Sequence, residues 1–152
     1  MKVERVYKRK DETTIEHLSK LIFTPITKVD DIFSFGNALD ACNYTKLKKL
    51  NIHTIINVTE EIPNFFPDDF TYINIPIRDN NQASLIPYFP RLKSFEPEGN
   101  VFVHCYMGSS RSTAVIMFMY MKYYHVTADE ALQMLQTKRP LNNPNINFVQ
   151  QL

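Results

Sequence analysis

The sequence predicts an α/β domain with a central mixed, mostly parallel sheet of about five strands and helices on both faces. Short apolar runs such as residues 101–103 have the composition of strands buried on both faces. Segments with helical periodicity alternate with these runs, as in chains that build parallel sheets. Residues 114–121 are almost wholly apolar and follow one of the strands, so we expect a buried central helix there.

Residues 1–25 are predicted to form a basic N-terminal arm or helix. The first ten residues contain five Lys and Arg side chains, and Val3, Val6 and Tyr7 recur at helical spacing. The preferred interpretation is a solvated arm with a few apolar anchors, and docking to a partner or a membrane is the alternative. Residues 15–23 are expected to form helix or loop.

The next elements are predicted from composition and turn residues. Residues 25–29 and 32–35, the latter ended by Gly36, indicate two edge strands joined by a turn. Residues 37–50 indicate two short helical turns or one broken helix, because Ala and Leu recur among polar residues. Residues 54–58 are β-branched and apolar, which predicts a buried strand.

A further strand is predicted at residues 70–77, after a proline-punctuated loop at residues 60–69. Ile73, Ile75 and Ile77 alternate onto one side of it. The proline between the last two isoleucines indicates an edge or terminal position. The polar loop that follows lies at the carboxyl end of this strand, where open α/β sheets tend to carry catalytic groups.

The last part of the chain is predicted to be helical. Thr-Ala-Asp-Glu at residues 127–130 is a capping box that begins a helix. We expect this helix to end near residues 139–140 and another to begin after residue 145. The first of these helices is expected to turn Ala131, Leu132, Met134 and Leu135 towards the core. The second carries the apolar residues Phe148, Val149 and Leu152.

The composition of the 152 residues, 44% hydrophobic and 22% charged, is that of one globular domain spanning residues 1–152. A net charge of +1 gives no global field for nucleic acid, so no nucleic-acid partner is expected. No apolar run is long enough for a membrane span. Two cysteines do not make a disulfide framework, so we expect a reducing compartment, cytoplasmic or nuclear. No pattern specifies an oligomeric state.

Residues 104–112 carry the chemistry that the sequence predicts. Gly108 lets the backbone curl inward, so that successive N–H groups and the positive end of the following helix point at one anion. Arg111 adds a planar fork that can pair two phosphoryl oxygens at once. In this positive environment Cys105 is expected to be a thiolate near neutral pH, and therefore a nucleophile towards phosphate esters.

His-Cys-x5-Arg-Ser at residues 104–112 resembles the signature loop of the cysteine-based dual-specificity protein phosphatases. Phe-Gly-Asn-Ala at residues 35–38, Ile-Ile-Asn-Val at residues 55–58 and the ending that starts with Arg-Pro at residue 139 extend the resemblance to about residues 26–152. It implies a dual-specificity phosphatase-like fold, no metal and no other cofactor, and a phosphoprotein substrate.

The resemblance also implies roles for individual residues. In the family, the counterparts of Cys105 and Arg111 attack and clamp the phosphate, that of His104 holds the loop, and that of Ser112 donates its hydroxyl to the sulfur. The implied substrate-binding loop comprises Tyr106, Met107, Gly108, Ser109, Ser110 and Arg111. Met107 stands where the family often has a small residue. The resemblance further implies that Asn145 hydrogen-bonds near the loop.

Attack on a phosphate ester also requires a general acid to protonate the leaving oxygen. Asp79 is the candidate, because it follows a predicted strand and its Ile-x-Asp context resembles the general-acid loop of the family. The alternative is that Asp79 is simply a turn former. Other carboxyl groups with weaker placement are Asp68, Asp69, Glu96 and Glu98.

The predicted function is hydrolysis of protein phosphotyrosine and phosphoserine or phosphothreonine esters through a phosphocysteine intermediate. Phosphotyrosine is expected to be favoured, in a pocket without the extra wall of tyrosine-only relatives. One alternative is a phosphoprotein-binding pseudophosphatase, against which intact Cys105, Arg111 and Asp79 argue. The other is a phosphatase for phosphoinositides or RNA 5′-phosphates, for which lysines would be expected in the loop.

Overall fold

The computed structural model describes residues 14–152, whose centre is a five-stranded sheet. The strands are, in chain order, β1 (Thr27–Lys28), β2 (Phe33–Gly36), β3 (Ile52–Asn57), β4 (Thr71–Asn74) and β5 (Asn100–His104). Across the sheet they lie in the order β1-β2-β5-β3-β4. β1 is antiparallel to β2, and all other neighbours are parallel. The predicted mixed, mostly parallel sheet is confirmed.

Helices cover both faces of this sheet, as predicted. They are α1 (Thr14–Phe23), α2 (Ala38–Ala41), α3 (Tyr44–Lys49), α4 (Phe89–Ser94), α5 (Arg111–Tyr124), α6 (Ala128–Lys138) and α7 (Ile146–Gln151), with a 3-10 turn at Ile86–Tyr88. Helices α4 to α7 bury one face of the sheet in a large apolar cluster, and α2 and α3 bury the other. None of the helices within residues 14–152 has the length and apolar character needed to cross a bilayer.

The prediction that residues 32–35 form an edge strand is wrong. All four residues of β2 are buried, because β2 pairs with β5 on one side and with β1 on the other. Only β1 lies at this edge. The prediction for β4 is confirmed, since β4 is the opposite edge. Its ladder ends at Asn74, before the predicted end of the strand.

Met134 was predicted to face the core and instead is 41% exposed. The buried positions of α6 are Ala131, Leu132 and Leu135. Met134 lies about 100° around the helix from the centre of that stripe, which leaves it on the flank. Residues 15–23, expected as helix or loop, form α1. The predicted basic arm at residues 1–10 lies outside the described residues.

The carboxyl ends of the three central strands, β2, β5 and β3, lie side by side at the same end of the sheet. Gly36 of β2 and Asn57 of β3 both lie in register with His104 of β5. The N–H of Val58 donates a hydrogen bond of 2.9 Å to the His104 carbonyl, which ties two of these ends together. The loops that follow the parallel strands therefore converge around the residues that follow β5.

Candidate active site

The loop between β5 and α5 curls around the sulfur of Cys105, which is buried. The N–H of Gly108 donates a hydrogen bond to Cys105 Sγ at 3.3 Å. Ser112 Oγ, from the first turn of α5, lies 3.2 Å from the same sulfur. Donors from the loop backbone and from the helix thus point at one atom, an arrangement that stabilises negative charge on it.

This curvature requires glycine at position 108. Gly108 has a φ of +70°, in the left-handed region that residues with a Cβ rarely adopt. A Cβ added there would lie 2.6 Å from the carbonyl oxygen of Gly36 and 2.7 Å from Arg139 Nη2. The loop is therefore pressed directly against the end of β2, and any side chain at Gly108 would force it outward.

Arg111 is the first residue of α5 and is buried. Its guanidinium makes a two-pronged ion pair with Glu61, at 2.9 Å from Nη1 and 2.5 Å from Nη2. Nη1 also donates to the carbonyl of Ile77 at 3.0 Å. Hydrogen bonding from Arg111 lowers the pKa of the Glu61 carboxyl below its ordinary value. The fork is thus held in one orientation by groups from two other loops.

Asp79 lies against the same loop and is half-buried. Its Oδ1 accepts a hydrogen bond of 2.8 Å from Ser110 Oγ, and Asn145 Nδ2 lies 3.5 Å away. The N–H of Asn145 in turn donates to Ser110 Oγ at 2.9 Å. The predicted hydrogen bond of Asn145 near the loop is confirmed. Ser110 thereby connects the candidate acid to the loop that surrounds the candidate nucleophile.

The other carboxyl groups considered as general acid lie elsewhere. Asp68 and Asp69 line a cleft at the amino ends of β3 and β4, where Asp69 accepts a hydrogen bond of 3.1 Å from the Tyr44 hydroxyl. Glu96 pairs with Lys122 near the far end of α5, at 3.2 Å. Glu98 precedes β5 and therefore lies at the amino ends of the parallel strands, whereas the loop lies at their carboxyl ends. Of the carboxyl groups considered, Asp79 is thus the one placed at the loop.

His104 is almost fully buried beneath the loop. Its Nδ1 lies 3.3 Å from the carbonyl oxygen of Cys105, and its ring stacks on Phe102 with a centroid distance of 5.7 Å. Burial lowers the pKa of His104 to about 4, because the charged ring would lose its hydration. The ring is therefore neutral near pH 7, with its proton on Nδ1, where the carbonyl can accept it.

The low pKa of His104 predicts a loss of stability in mild acid. Between its ordinary pKa of 6.5 and about 4, the unfolded chain binds a proton that the folded chain does not. The free energy of unfolding that results from keeping His104 neutral is complete above pH 6.5, and it is lost as the pH falls towards 4. Urea titrations at pH 7 and pH 5 give the drop in unfolding free energy between these two pH values. We expect this drop to be about 2 kcal/mol smaller in His104→Asn than in the wild type.

A matched control is available in His125→Asn. His125 is exposed and has a φ of 54°, a left-handed conformation that asparagine tolerates well. This variant should keep the full pH dependence of the wild type. Equal pH dependence in wild type and His104→Asn would contradict the assignment to His104.

Comparison with known proteins places this geometry in a family. The family model described as "Dual specificity phosphatase, catalytic domain" matches residues 34–152. The chain belongs to the dual specificity phosphatase family. It is 37% identical over 131 residues to Protein phosphatase Slingshot of Drosophila melanogaster, an alignment that covers 83% of this chain and 12% of that protein. The chain spans a fifth or less of the length of the fly, mouse and frog Slingshot proteins.

Two other members of the dual specificity phosphatase family match more of their own length. Dual specificity protein phosphatase 1 of Arabidopsis thaliana is 31% identical over 159 residues, covering 96% of this chain and 80% of the plant protein. The crystal structure of DUSP15 superimposes with a TM-score of 0.77 at 30% identity and covers 83% of each chain. The predicted family resemblance is confirmed.

Glu61 is a residue of this dual specificity phosphatase domain that sequence reasoning missed. It lies on the loop after β3, whose shape is set by Asn57. The Nδ2 of Asn57 donates to the carbonyl of Ile62 at 2.7 Å, and its Oδ1 accepts from Thr59 Oγ1 at 2.7 Å. The available signal was a pair of glutamates directly after a buried strand, at the sheet edge where Arg111 was expected.

The role of Arg139 was also missed, since the Arg-Pro pair was interpreted as the end of a helix and as part of the family's C-terminal ending, with no contact assigned to it. Its side chain is buried, and its Nε donates to the Gly108 carbonyl at 3.1 Å. Nη1 donates to the carbonyl of Pro25 at 2.7 Å and to Thr27 Oγ1 at 2.8 Å. Arg139 therefore links the active-site loop to the segment around β1. Nothing in the local sequence indicates contacts so distant along the chain.

The ion pair with Glu61 predicts that Glu61→Gln weakens catalysis. Glutamine keeps the shape but loses the charge and one acceptor, so the Arg111 fork is less firmly oriented. We expect kcat/KM for an aryl phosphate to fall about tenfold. The unfolding free energy should fall by about 1–2 kcal/mol, because a largely buried guanidinium loses part of its pairing.

The neighbouring Glu60→Gln variant is the control for this prediction. Glu60 pairs with Arg78, whose side chain is 72% exposed, and such surface pairs contribute little. Glu60→Gln should therefore leave both quantities unchanged. A Glu61→Gln enzyme with wild-type kcat/KM would show that Arg111 does not depend on this carboxylate.

Proposed function

We propose that this domain hydrolyses phosphate monoesters of proteins, with Cys105 as nucleophile and Asp79 as general acid and base. One observation carries the proposal. The sulfur of Cys105 lies at the centre of a loop that also carries Arg111, and the same loop binds the Asp79 carboxyl through Ser110. A nucleophile, a phosphate clamp and a proton donor thus converge on one space, as phosphoryl transfer through a cysteine requires.

In the first step, the Cys105 thiolate attacks phosphorus and the bond to the ester oxygen breaks. Asp79 gives its proton to that oxygen, so that a neutral alcohol or phenol leaves. Arg111 and the N–H groups of the loop hold the three equatorial oxygens of the phosphoryl group, whose charge is redistributed in the transition state. The products of this step are a phosphocysteine and an ionised Asp79.

In the second step, Asp79 takes a proton from water, and the resulting hydroxide attacks the phosphocysteine. The sulfur–phosphorus bond breaks, and inorganic phosphate is released. The hydroxyl of Ser112, 3.2 Å from the sulfur, donates a hydrogen bond to the thiolate as it leaves. Each group thus returns to its starting protonation state.

We propose that the substrates are phosphotyrosine and, more weakly, phosphothreonine or phosphoserine in proteins. Tyr106 is 36% exposed on the loop, where its ring can contact that of a phosphotyrosine. A cleft of about 350 Å³ lies on the segment that carries Asp79; it is lined by Arg78, Asn80, Pro87 and Tyr88 among others and offers room for a peptide. The loop positions 106, 107, 109 and 110 carry no charge, which disfavours inositol phosphates and RNA 5′-phosphates.

The test is a panel of matched peptides that differ only in the phosphorylated residue, with inositol lipids and a 5′-phosphorylated RNA alongside. We expect turnover of the phosphotyrosine peptide to be fastest and turnover of the phosphothreonine peptide to be measurable. Tight binding of the peptides without release of phosphate would instead indicate a pseudophosphatase. Faster turnover of the lipid or the RNA would overturn the proposed substrate class.

A further inference from the structure

The helix α1 turns an apolar face outward. Ile15, Leu18, Ile22 and Phe23 are 80%, 48%, 62% and 78% exposed. At 100° per residue these four side chains fall within about 140° of the helix circumference, which makes a continuous stripe. Exposed apolar patches of this kind mark interaction sites, because isolated domains rarely leave so many large side chains in water. We call these four residues the α1 apolar face.

The helix is nevertheless fixed to the domain on another side. Leu21 is 7% exposed, and its carbonyl oxygen accepts a hydrogen bond of 2.9 Å from Asn37 Nδ2. Leu21 lies about 60° beyond the margin of the α1 apolar face. The helix is therefore packed against the domain through the side that carries Leu21. The α1 apolar face points outward although the helix is packed.

The charge of the adjoining segment indicates what binds this face. Residues 1–13 contain five Lys and Arg and three Asp and Glu, a net charge of +2 (5 minus 3), whereas residues 14–152 sum to −1 (12 minus 13). Lys8, Arg9 and Lys10 are consecutive, and the linkage from residue 10 to residue 14 can span at most about 15 Å. The covalent linkage thus keeps three cations within about 15 Å of the first residue of α1.

We propose that α1 docks this domain on an anionic lipid surface. The α1 apolar face would enter the boundary between headgroups and acyl chains, while the tethered cations pair with lipid phosphates and carboxylates. Neither signal is strong alone, and stable membrane attachment ordinarily needs two. Docking would bring the phosphatase to substrates held at the same surface. The inference is independent of the reaction that the active site performs.

A second copy of the chain fits the same face less well. The face of a ten-residue helix measures roughly 15 by 10 Å, well below the ~800 Å² that each partner buries in a stable complex. Pairing would also bring together two N-terminal segments that each carry a net charge of +2 and therefore repel each other. An anionic bilayer has neither restriction.

The experiment is co-sedimentation of the full chain with vesicles of pure phosphatidylcholine and with vesicles that also contain phosphatidylserine. We expect binding to the mixed vesicles to be at least about tenfold tighter and to weaken with added salt. Two variants should lose it, namely Ile15→Gln combined with Ile22→Gln, and Lys8, Arg9 and Lys10 all replaced by Gln. Glutamine is a better helix former than isoleucine, so the first variant keeps α1.

Met134→Gln is the matched control, because it removes an exposed apolar side chain from a different helix. It should bind the mixed vesicles like the wild type, and all variants should hydrolyse a soluble aryl phosphate at the wild-type rate. Absence of binding to the mixed vesicles at low salt would overturn the proposal, as would binding that survives in the isoleucine double variant. A wild-type dimer in solution that this double variant dissociates would also overturn it, and would assign the face to a second copy.

Discussion

Replacing Cys105 by serine should reduce kcat by about 10⁵-fold or more, since a hydroxyl that keeps its proton is a far weaker nucleophile than a thiolate. The loop, Gly108 and Arg111 are unchanged by this substitution. Binding of a phosphotyrosine peptide should therefore persist, with a Kd close to the KM of the wild type. Stopped-flow or steady-state release of phosphate, together with calorimetric titration of the peptide, measures both quantities.

Cys42→Ser is the control for this experiment. Cys42 is exposed and donates its S–H to the Leu39 carbonyl at 3.2 Å, so this variant makes the same chemical change at a cysteine outside the active-site loop. We expect it to keep wild-type kcat. If Cys105→Ser retained a measurable fraction of the wild-type rate, or Cys42→Ser lost it, the assignment of the nucleophile would be wrong.

Replacing Asp79 by asparagine should reduce kcat for a phosphotyrosine peptide by about 10²–10⁴-fold, the usual contribution of a general acid. Asparagine keeps an oxygen that can accept the hydrogen bond from Ser110, so the loop should keep its position. The loss should shrink for aryl phosphates whose leaving group is a stable anion, because these need no proton.

Asp69→Asn provides the comparison for Asp79. Asp69 also accepts a hydrogen bond from a hydroxyl, that of Tyr44, but it lies at the amino ends of β3 and β4, away from the loop. Its replacement should leave kcat unchanged for the peptide and for the aryl phosphates. An Asp79→Asn enzyme with the same loss for every leaving group would show that another residue supplies the proton.

Local patterns were sufficient to predict the elements that position the candidate site. The run at residues 101–103 and the apolar helix after it became β5 and α5, because burial on all sides leaves an unambiguous composition. The loop between them was predicted from its Cys, Gly and Arg residues and from the resemblance to the family's signature loop. Asp79 was predicted from its position after a strand and from the resemblance of its context to the general-acid loop of the family, although the strand ended at Asn74, sooner than the alternation indicated.

What local patterns missed are contacts between distant parts of the chain. β2 was predicted at an edge, because the order of strands across a sheet depends on which partners cover each side and not on the strand's own residues. Glu61 and Arg139 were missed for a related reason. Glu61 is 50 residues from Arg111, and Arg139 reaches 31 residues back to Gly108 and 114 residues back to Pro25. Such pairs are specified only once the fold brings them together.

The two outer strands limit the association of separate molecules through their sheets at high protein concentration. β1 has only two residues and β4 only four, and the chain beyond β4 continues into Pro76, which has no N–H to offer. Long, flat edges with unpaired backbone are the templates on which sheets of separate molecules join and grow into fibrils. In this domain both edge strands, β1 and β4, are too short to serve as such templates. The longest strands, β3 and β5, lie inside the sheet, where neighbouring strands occupy both of their sides.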